Sequence, residues 1–115
     1  GNPHIIFFVK DCFKHDLKIL GPKIENNKLF PERTNVTFAQ VDDRKNITVN
    51  VWERGAGLTK ACGTAACATA VAATIKKLTE NDINIKFIEI FRKINITKSK
   101  CIILSRYGGR SMYYI

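Results

Sequence analysis

Alternating polar and apolar residues in the middle of the chain predict a β-hairpin. The residues from Thr34 to Val41 alternate in polarity, and those from Ile47 to Trp52 do so again. A period of two is typical of strands that bury one face. The intervening residues 42–46 are polar and suit a turn. We therefore expect two half-buried strands joined as a hairpin.

A long segment of small apolar residues follows the hairpin. From about Gly63 to Leu78 the residues are mainly Ala, Cys, Thr, Val and Ile, and no helical face is polar before Lys76-Lys77. A helix that is apolar on every face is enclosed by the rest of the protein. This segment therefore predicts one central helix with sheet packed against several of its sides.

Shorter patterns complete the expected architecture. An apolar run from Ile5 to Val9 predicts a buried strand, and further strands are expected from Ile83 to Ile90 and from Ile94 to Leu104. Gly21-Pro22 predicts a break in the chain, and the residues after 104 show no clear pattern. The 115 residues predict a single α+β domain, with a mainly antiparallel sheet wrapped around one central helix.

Cys62 lies at the start of the predicted helix, after a glycine-rich approach. Free backbone N–H groups and a partial positive charge favour anions at a helix N-terminus, and a thiol there tends to ionise. A cysteine at such a position is more often a packing residue when taken alone. Gly63 and Thr64, however, can turn their N–H groups toward an anion without obstruction by a large side chain. The pattern therefore favours a reactive thiol with a carboxylate docked beside it.

An acid and a base stand side by side at the end of the second hairpin strand. Glu53 suits an ammonium group, and the Arg54 guanidinium can fork onto a carboxylate. The alternative is a surface ion pair, which contributes little to stability. Because the chain leads from this pair to Cys62, we interpret the three residues as parts of an amino-acid site.

Three further polar residues lie near predicted strand ends. Asn2 and Asn35 are neutral and can bind either a carboxylate or an ammonium group, although turn formation explains each equally well. His4 comes just before the first strand, where a histidine is more often structural than a base. The residues by themselves leave these alternatives open.

The cysteine and histidine content indicates reduced thiols and no metal site. Four cysteines accompany two histidines, no signal peptide is evident, and Cys62 and Cys67 are too widely spaced for a metal-binding pair. We expect a cytoplasmic protein, with Cys12 and Cys101 inert and Cys67 in the core. The longest apolar run is too short to span a bilayer, so no membrane partner is expected.

The charge of the chain raises a second class of function. A net charge of +9 can indicate a nucleic-acid partner. The lysines are scattered along the chain, apart from one cluster at Lys93, Lys98 and Lys100. A solvated lysine surface is the favoured interpretation. The alternative function is that of a non-catalytic remnant or a basic nucleic-acid-binding module.

Six short motifs resemble, in order and spacing, the C-terminal half of diaminopimelate epimerase. They are Gly1-Asn2-Pro3-His4, Leu20-Gly21-Pro22, Phe30-Pro31-Glu32, Thr34-Asn35-Val36, Trp52-Glu53-Arg54-Gly55 and Ala61-Cys62-Gly63-Thr64. The resemblance covers about residues 1–78 and fades after about residue 83. Because of this and of the start at Gly1, we expect a fragment, namely the C-terminal lobe of such an enzyme.

The resemblance implies a cofactor-independent isomerase that converts LL-diaminopimelate to the meso form, in lysine and peptidoglycan precursor synthesis. Two cysteines on opposite sides of the α-carbon exchange its proton in this family. Cys62 matches one of them. The other lies in an N-terminal half that this chain lacks, so the isolated chain is expected to be inactive. The family also suggests a homodimer.

The resemblance also implies roles for the other candidates. Gly63 and Thr64 would bind the reacting carboxylate, Glu53 would orient the reacting amine or tune Cys62, and His4 would lie near the second cysteine. The distal end of the substrate would be held by Arg54, Asn35 and Asn2. Related isomerases that act on proline-type substrates use the same two-cysteine mechanism, but the motifs at residues 34–36 and 52–55 argue against membership of that class.

Overall fold

The computed structural model describes residues 2–60, 62–87, 91–95, 102–107 and 110–114, with side chains described only as far as residue 87. The described residues form two helices and eight strands. In chain order they are β1 (Pro3–Phe8), α1 (Leu17–Glu25), β2 (Asn35–Asp43), β3 (Asn46–Glu53), β4 (Gly57–Thr59), α2 (Gly63–Ile75), β5 (Asp82–Lys86), β6 (Phe91–Asn95), β7 (Ile102–Tyr107) and β8 (Arg110–Tyr114).

The eight described strands belong to one mixed sheet. Its order is β6-β5-β3-β2-β1-β8-β7, and β4 pairs with β3 beside this path. The pairs β1–β2 and β3–β5 are parallel, and the other five pairs of described strands are antiparallel. The α+β class and the mainly antiparallel sheet predicted from the sequence are therefore confirmed.

The predicted central helix, α2, packs on one face of the sheet. Eight of its residues are buried: Ala65, Ala66, Ala68, Thr69, Ala70, Val71, Ala72 and Ala73. Small side chains let the helix lie close to the strands, and the facing cluster includes Ile47, Val49 and Val51 of β3. The enclosed helix that the apolar pattern predicted is thus present, ending at Ile75 rather than Leu78.

The second helix, α1, covers the other face of the sheet and was not predicted. The Asp16 side chain caps its start by accepting a hydrogen bond from the Lys18 N–H. Leu17, Leu20 and Ile24 belong to an apolar cluster with residues of β1 and β2. This packing keeps the helix intact through Gly21-Pro22, so the predicted chain break is wrong.

Because α1 covers the sheet, the hairpin is more deeply buried than the sequence predicted. β2 and β3 pair as predicted, but β2 is buried on both faces from Asn35 to Ala39. The alternating pattern predicted one exposed face. It was wrong on this point, because the pattern does not show that α1 and its flanking loops cover that face.

The later strands differ from the predicted ones. The expected strand from Ile94 to Leu104 corresponds to parts of β6 and β7, and residues 96–101 lie outside the described residues. The unpatterned end contains β8, which pairs with β7 and also with β1. No helix in the described part of the chain is long and apolar enough to cross a membrane.

Candidate active site

Four chain segments bring the predicted site residues to one edge of the sheet. β1 and β2 are parallel, so Asn2 and Asn35 lie at their starts, at the same edge. β3 runs antiparallel to β2 and ends there at Glu53. The start of α2 lies at the same edge, where Asn2 Nδ2 donates a hydrogen bond of 3.1 Å to Thr64 Oγ1.

Cys62 is the N-cap residue of α2. Its backbone is extended, with φ −143° and ψ 104°, and its side chain makes no capping hydrogen bond. The residue is 8% exposed and packs against the cluster beneath α2, while its Sγ lies 3.5 Å from Thr64 Oγ1. The first N–H groups of a helix have no intrahelical acceptor. The thiol therefore stands beside a positively polarised, anion-favouring helix end.

Gly63 and Thr64 form the exposed beginning of α2. Apart from its chain neighbours and the backbone of α2, no described atom lies within 4 Å of a Cβ built on Gly63. The backbone at this position can therefore be approached closely from outside. This geometry suits the binding of a carboxylate by consecutive N–H groups.

A continuous polar network links the thiol to the end of β3. From Cys62 it passes through Thr64 to Asn2, whose Oδ1 accepts a hydrogen bond of 2.7 Å from Asn35 Nδ2. Asn35 Nδ2 also donates to the Pro3 carbonyl over 3.0 Å, and Asn35 Oδ1 accepts from the Arg54 N–H over 2.8 Å. Since Asn35 is only 2% exposed, its amide acts in this structure as a brace between three segments.

Arg54 follows β3 and is held at both its backbone and its side chain. Besides the bond from its N–H to Asn35, its Nη1 donates to the Glu32 carbonyl over 3.0 Å. These contacts place a guanidinium at the edge where Asn2 and Asn35 meet.

His4 is completely buried beside Asn35, its register partner across the parallel strands. Neither ring nitrogen has a hydrogen-bond partner among the described residues. Burial and the nearby positive charge of Arg54 lower the His4 pKa to about 4. The imidazole is therefore neutral at physiological pH, with an acceptor and a donor both unused within the described structure.

Glu53 is half-buried at the end of β3. Strand alternation puts it on the same face as Val51, which packs beneath α2. No described residue forms a hydrogen bond or ion pair with its carboxylate. The structure thus places Glu53 at the same edge and on the same face of the sheet as Cys62, and no described hydrogen bond joins its carboxylate to the network around Cys62.

The other cysteines have contrasting surroundings. Cys12 is completely buried, and its burial raises the pKa of the thiol to about 11, as expected for an inert residue. Cys67 is exposed, so its predicted core position is wrong. Cys67 lies on the same side of α2 as Gly63 and Thr64, and this side of the helix faces away from the sheet. Cys101 lies outside the described residues.

Sequence reasoning missed Glu25, the last residue of α1. Its side chain is 7% exposed, and its carboxylate contacts Trp52, Gly55 and Arg33 around the turn after Glu53. A charged residue next to Asn26-Asn27 gave no signal of burial, since the helix that carries it was not anticipated.

The described residues also line a pocket of about 460 Å³ on the α1 side of the sheet. It lies between the segment before α1 and β4, and its lining includes Phe13, His15, Asn50, Leu58 and Lys60. None of the predicted site residues lines it.

Among the described residues, no group of three or more His, Cys, Asp or Glu side chains could hold a metal ion.

Comparison with known proteins identifies the family. The model of the family described as diaminopimelate epimerase matches residues 1–108, which extends well past residue 78, the end of the resemblance found in the sequence. A diaminopimelate epimerase of Pelagibacter ubique is 67% identical over 88 residues, which are 76% of this chain and 32% of that protein.

Two further relatives carry the same name. The diaminopimelate epimerase of Rhodopseudomonas palustris strain BisA53 is 56% identical over 85 residues, covering 74% of this chain and 30% of the relative. That of strain BisB18 is 63% identical over 66 residues, covering 57% and 23%. The chain thus spans about a third or less of the length of these relatives. With the family match extending over most of its residues, the chain belongs to the diaminopimelate epimerase family.

Proposed function

We propose that this chain supplies one half of the active site of a diaminopimelate epimerase, which interconverts LL- and meso-diaminopimelate without a cofactor. The observation that carries this proposal is the position of Cys62. Cys62 is the N-cap residue of α2, next to the exposed residues Gly63 and Thr64, and a polar network connects its thiol to an asparagine pair and an arginine. Such a site suits a substrate with two amino-acid ends.

The proposed reaction moves one proton on and one proton off the α-carbon. A thiolate on one face takes the α-proton, which breaks the C–H bond and leaves the electron pair on the carbon and its carboxylate. A thiol on the opposite face then donates its proton to that carbon. The first sulfur ends as a thiol and the second as a thiolate, so charge and atoms balance. Cys62 is one of the two groups.

The start of α2 is proposed to stabilise the charge that develops on the reacting carboxylate. N–H groups of Gly63 and Thr64 would donate to its oxygens, and the helix dipole adds to their effect. The open space at Gly63 supports this role, because a carboxylate can approach the backbone directly.

Glu53 and His4 are proposed to act near the reacting amine and the second cysteine. Glu53 would orient the ammonium group or tune Cys62 through its charge. His4 is neutral because its pKa is about 4, so it can hydrogen-bond a thiol or an amine without adding charge.

The distal end of the substrate is assigned to Arg54, Asn2 and Asn35. The Arg54 guanidinium would bind the distal carboxylate. The Asn35 side-chain amide is already hydrogen-bonded to Asn2, Pro3 and Arg54. Its proposed role is therefore to hold Asn2 and Arg54 in place.

The proposal includes a larger assembly. Residues 1–115 would be one domain, the C-terminal lobe, and the second cysteine would come from an N-terminal half. The complete enzyme would be cytoplasmic, a possible homodimer, and would have neither a nucleic-acid nor a membrane partner. A two-thiol mechanism then makes the isolated chain inactive.

Exchange of the substrate α-proton in heavy water tests the proposal. The chain would be assayed alone and after mixing with the N-terminal half of the P. ubique relative. We expect exchange only in the mixture and none with the isolated chain. Turnover by the isolated chain would contradict the need for a second cysteine, and absence of exchange in a mixture shown to be assembled would contradict the proposed function.

Two cysteine variants make the test specific. Cys62→Ala should abolish epimerisation in the mixture, and with it α-proton exchange of the stereoisomer whose proton faces Cys62, because that proton loses its acceptor. Cys67→Ala is the matched control on the same helix and should retain exchange, since Cys67 lies on the exposed stripe of α2. Equal activity of both variants would remove Cys62 from the mechanism.

A further inference from the structure

The buried carboxylate of Glu25 contacts the turn that carries Arg54. Glu25 Oε1 accepts hydrogen bonds from the Gly55 N–H over 3.0 Å and from Trp52 Nε1 over 3.3 Å. Its other oxygen, Oε2, lies 3.4 Å from Arg33 Nη1. No role in proton transfer is assigned to this group, yet three donors converge on it.

Two successive backbone amides of the turn are held by side chains from different elements. The Arg54 N–H donates to Asn35 of β2, and the next N–H, that of Gly55, donates to Glu25 of α1. Gly55 has a φ of +76°, in the left-handed region that favours glycine. The direction of the chain between Glu53 and Gly55 therefore depends on both acceptors.

The helix that presents Glu25 is fixed against the same turn by packing. A Cβ on Gly21 would overlap the Trp52 ring, so α1 and Trp52 are in the closest contact that the backbone permits. Glu25 follows Gly21 by one helical turn and shares its face. The carboxylate thus has little freedom to move away from Gly55.

The charge of Glu25 matches its surroundings. A buried carboxylate is costly unless donors replace its hydration. Here an indole N–H, a backbone N–H and a guanidinium supply them. A neutral amide at this position could accept the first two bonds but would lose the attraction to Arg33.

We propose that Glu25 is a positioning residue of the site: from α1 it holds Gly55 and Trp52 and thereby directs Glu53 and Arg54 toward the substrate. This inference rests on the proposed epimerase function. It adds a residue on the opposite face of the sheet from Cys62 to those that determine how the distal end of the substrate is bound.

Substitution of Glu25 in the assembled enzyme tests the inference through KM. Glu25→Ala should raise KM for diaminopimelate about tenfold, because Arg54 loses its alignment. Glu25→Gln should stay within about twofold of the parent, since its amide oxygen still accepts from Gly55 and Trp52. A purely structural role would lower the folded fraction and so reduce kcat per mole of protein without changing KM.

Glu80 provides the matched control. It pairs with Lys45 at 3.8 Å on the surface, so Glu80→Ala should leave KM unchanged. An unchanged KM in Glu25→Ala would overturn the inference. If that variant does not fold, Glu25→Asp replaces it, because the shorter side chain keeps the charge and withdraws the oxygens from Gly55.

A spectroscopic measurement on the chain separates this inference from the proposed function. The chain has one tryptophan, so its indole N–H gives a single assigned signal in a ¹H–¹⁵N spectrum. Glu25→Ala should shift the Trp52 indole and the Gly55 and Arg54 amides, and Glu25→Gln should shift them less. Unshifted signals would overturn the positioning role even in an active enzyme, whereas an inactive parent enzyme with shifted signals would contradict only the epimerase assignment.

Discussion

At the scale of single residues, His4 couples the stability of the domain to pH. In the folded chain the His4 pKa is lowered to about 4, whereas in the unfolded chain His4 has its ordinary pKa of about 6.5. Below pH 6.5 the unfolded chain therefore binds a proton more readily than the folded chain. The stability contributed by neutral His4 is therefore complete above pH 6.5 and is lost as pH falls toward 4. The shift corresponds to about 3 kcal/mol over this window.

Urea denaturation of the two single-histidine variants checks this prediction. Between pH 7 and pH 5 the parent chain should lose about 2 kcal/mol through His4. His4→Gln should remove most of that dependence. His15→Gln is the control, because His15 is exposed and rests its ring edge-on against Phe38. A pH dependence that persists in His4→Gln and disappears in His15→Gln would contradict the assignment.

Thiol labelling distinguishes Cys12 from Cys67. Because its pKa is about 11, only about one in a thousand Cys12 thiols is ionised at pH 8, and the side chain is also buried. Iodoacetamide should therefore label Cys67 at least about 100-fold faster, as measured by peptide mass spectrometry. In denaturant the two rates should converge. Comparable rates in the native protein would mean that Cys12 is accessible.

At the scale of elements, the contact between α1 and Trp52 should be sensitive to a single methyl group. Gly21→Ala forces the helix away from the ring and should destabilise the chain by about 1–3 kcal/mol. Gly63→Ala is the matched change at the start of α2, where the new methyl group meets nothing, and should alter stability little. Denaturation midpoints of the two variants give the comparison, and equal midpoints would argue against the close contact.

The elements also show what the sequence could predict. The hairpin and α2 were predictable because their polarity follows the period of a strand or is uniformly apolar. α1 was not, since Gly21-Pro22 argues locally against a helix that only packing on Trp52 and its neighbours stabilises. The candidate site residues came from short motifs, but Glu25 carries no such signal because its burial depends on α1.

At the scale of the whole molecule, the exposed lysines up to residue 87 are spread over more than one face, and the cluster at Lys93, Lys98 and Lys100 lies outside the described side chains. Lys18 and Lys23 lie on α1, whereas Lys76 and Lys77 follow α2 on the opposite face of the sheet. Lys45 lies at the turn between β2 and β3. These five lysines therefore do not form the single basic patch or stripe that is typical of a nucleic-acid-binding protein.

We therefore expect no specific binding of oligonucleotides despite the net charge of +9. Fluorescence anisotropy with single- and double-stranded 20-mers at several salt concentrations measures this. Dissociation constants weaker than about 10⁻⁴ M at physiological salt would fit non-specific attraction. Tight binding with a steep salt dependence would instead support the nucleic-acid-binding alternative.

The position of β1 between β2 and β8 has a consequence for the order of folding. Its pairing with β8 joins Pro3 to Tyr114, while the β2–β3 hairpin closes over only a few residues. Closing a long loop costs more conformational entropy, and contacts between distant residues slow folding. We expect the hairpin to form early and β1 to join late. Because Asn2 and His4 are positioned by β1, a refolding chain should regain most of its secondary structure before it completes the candidate active site.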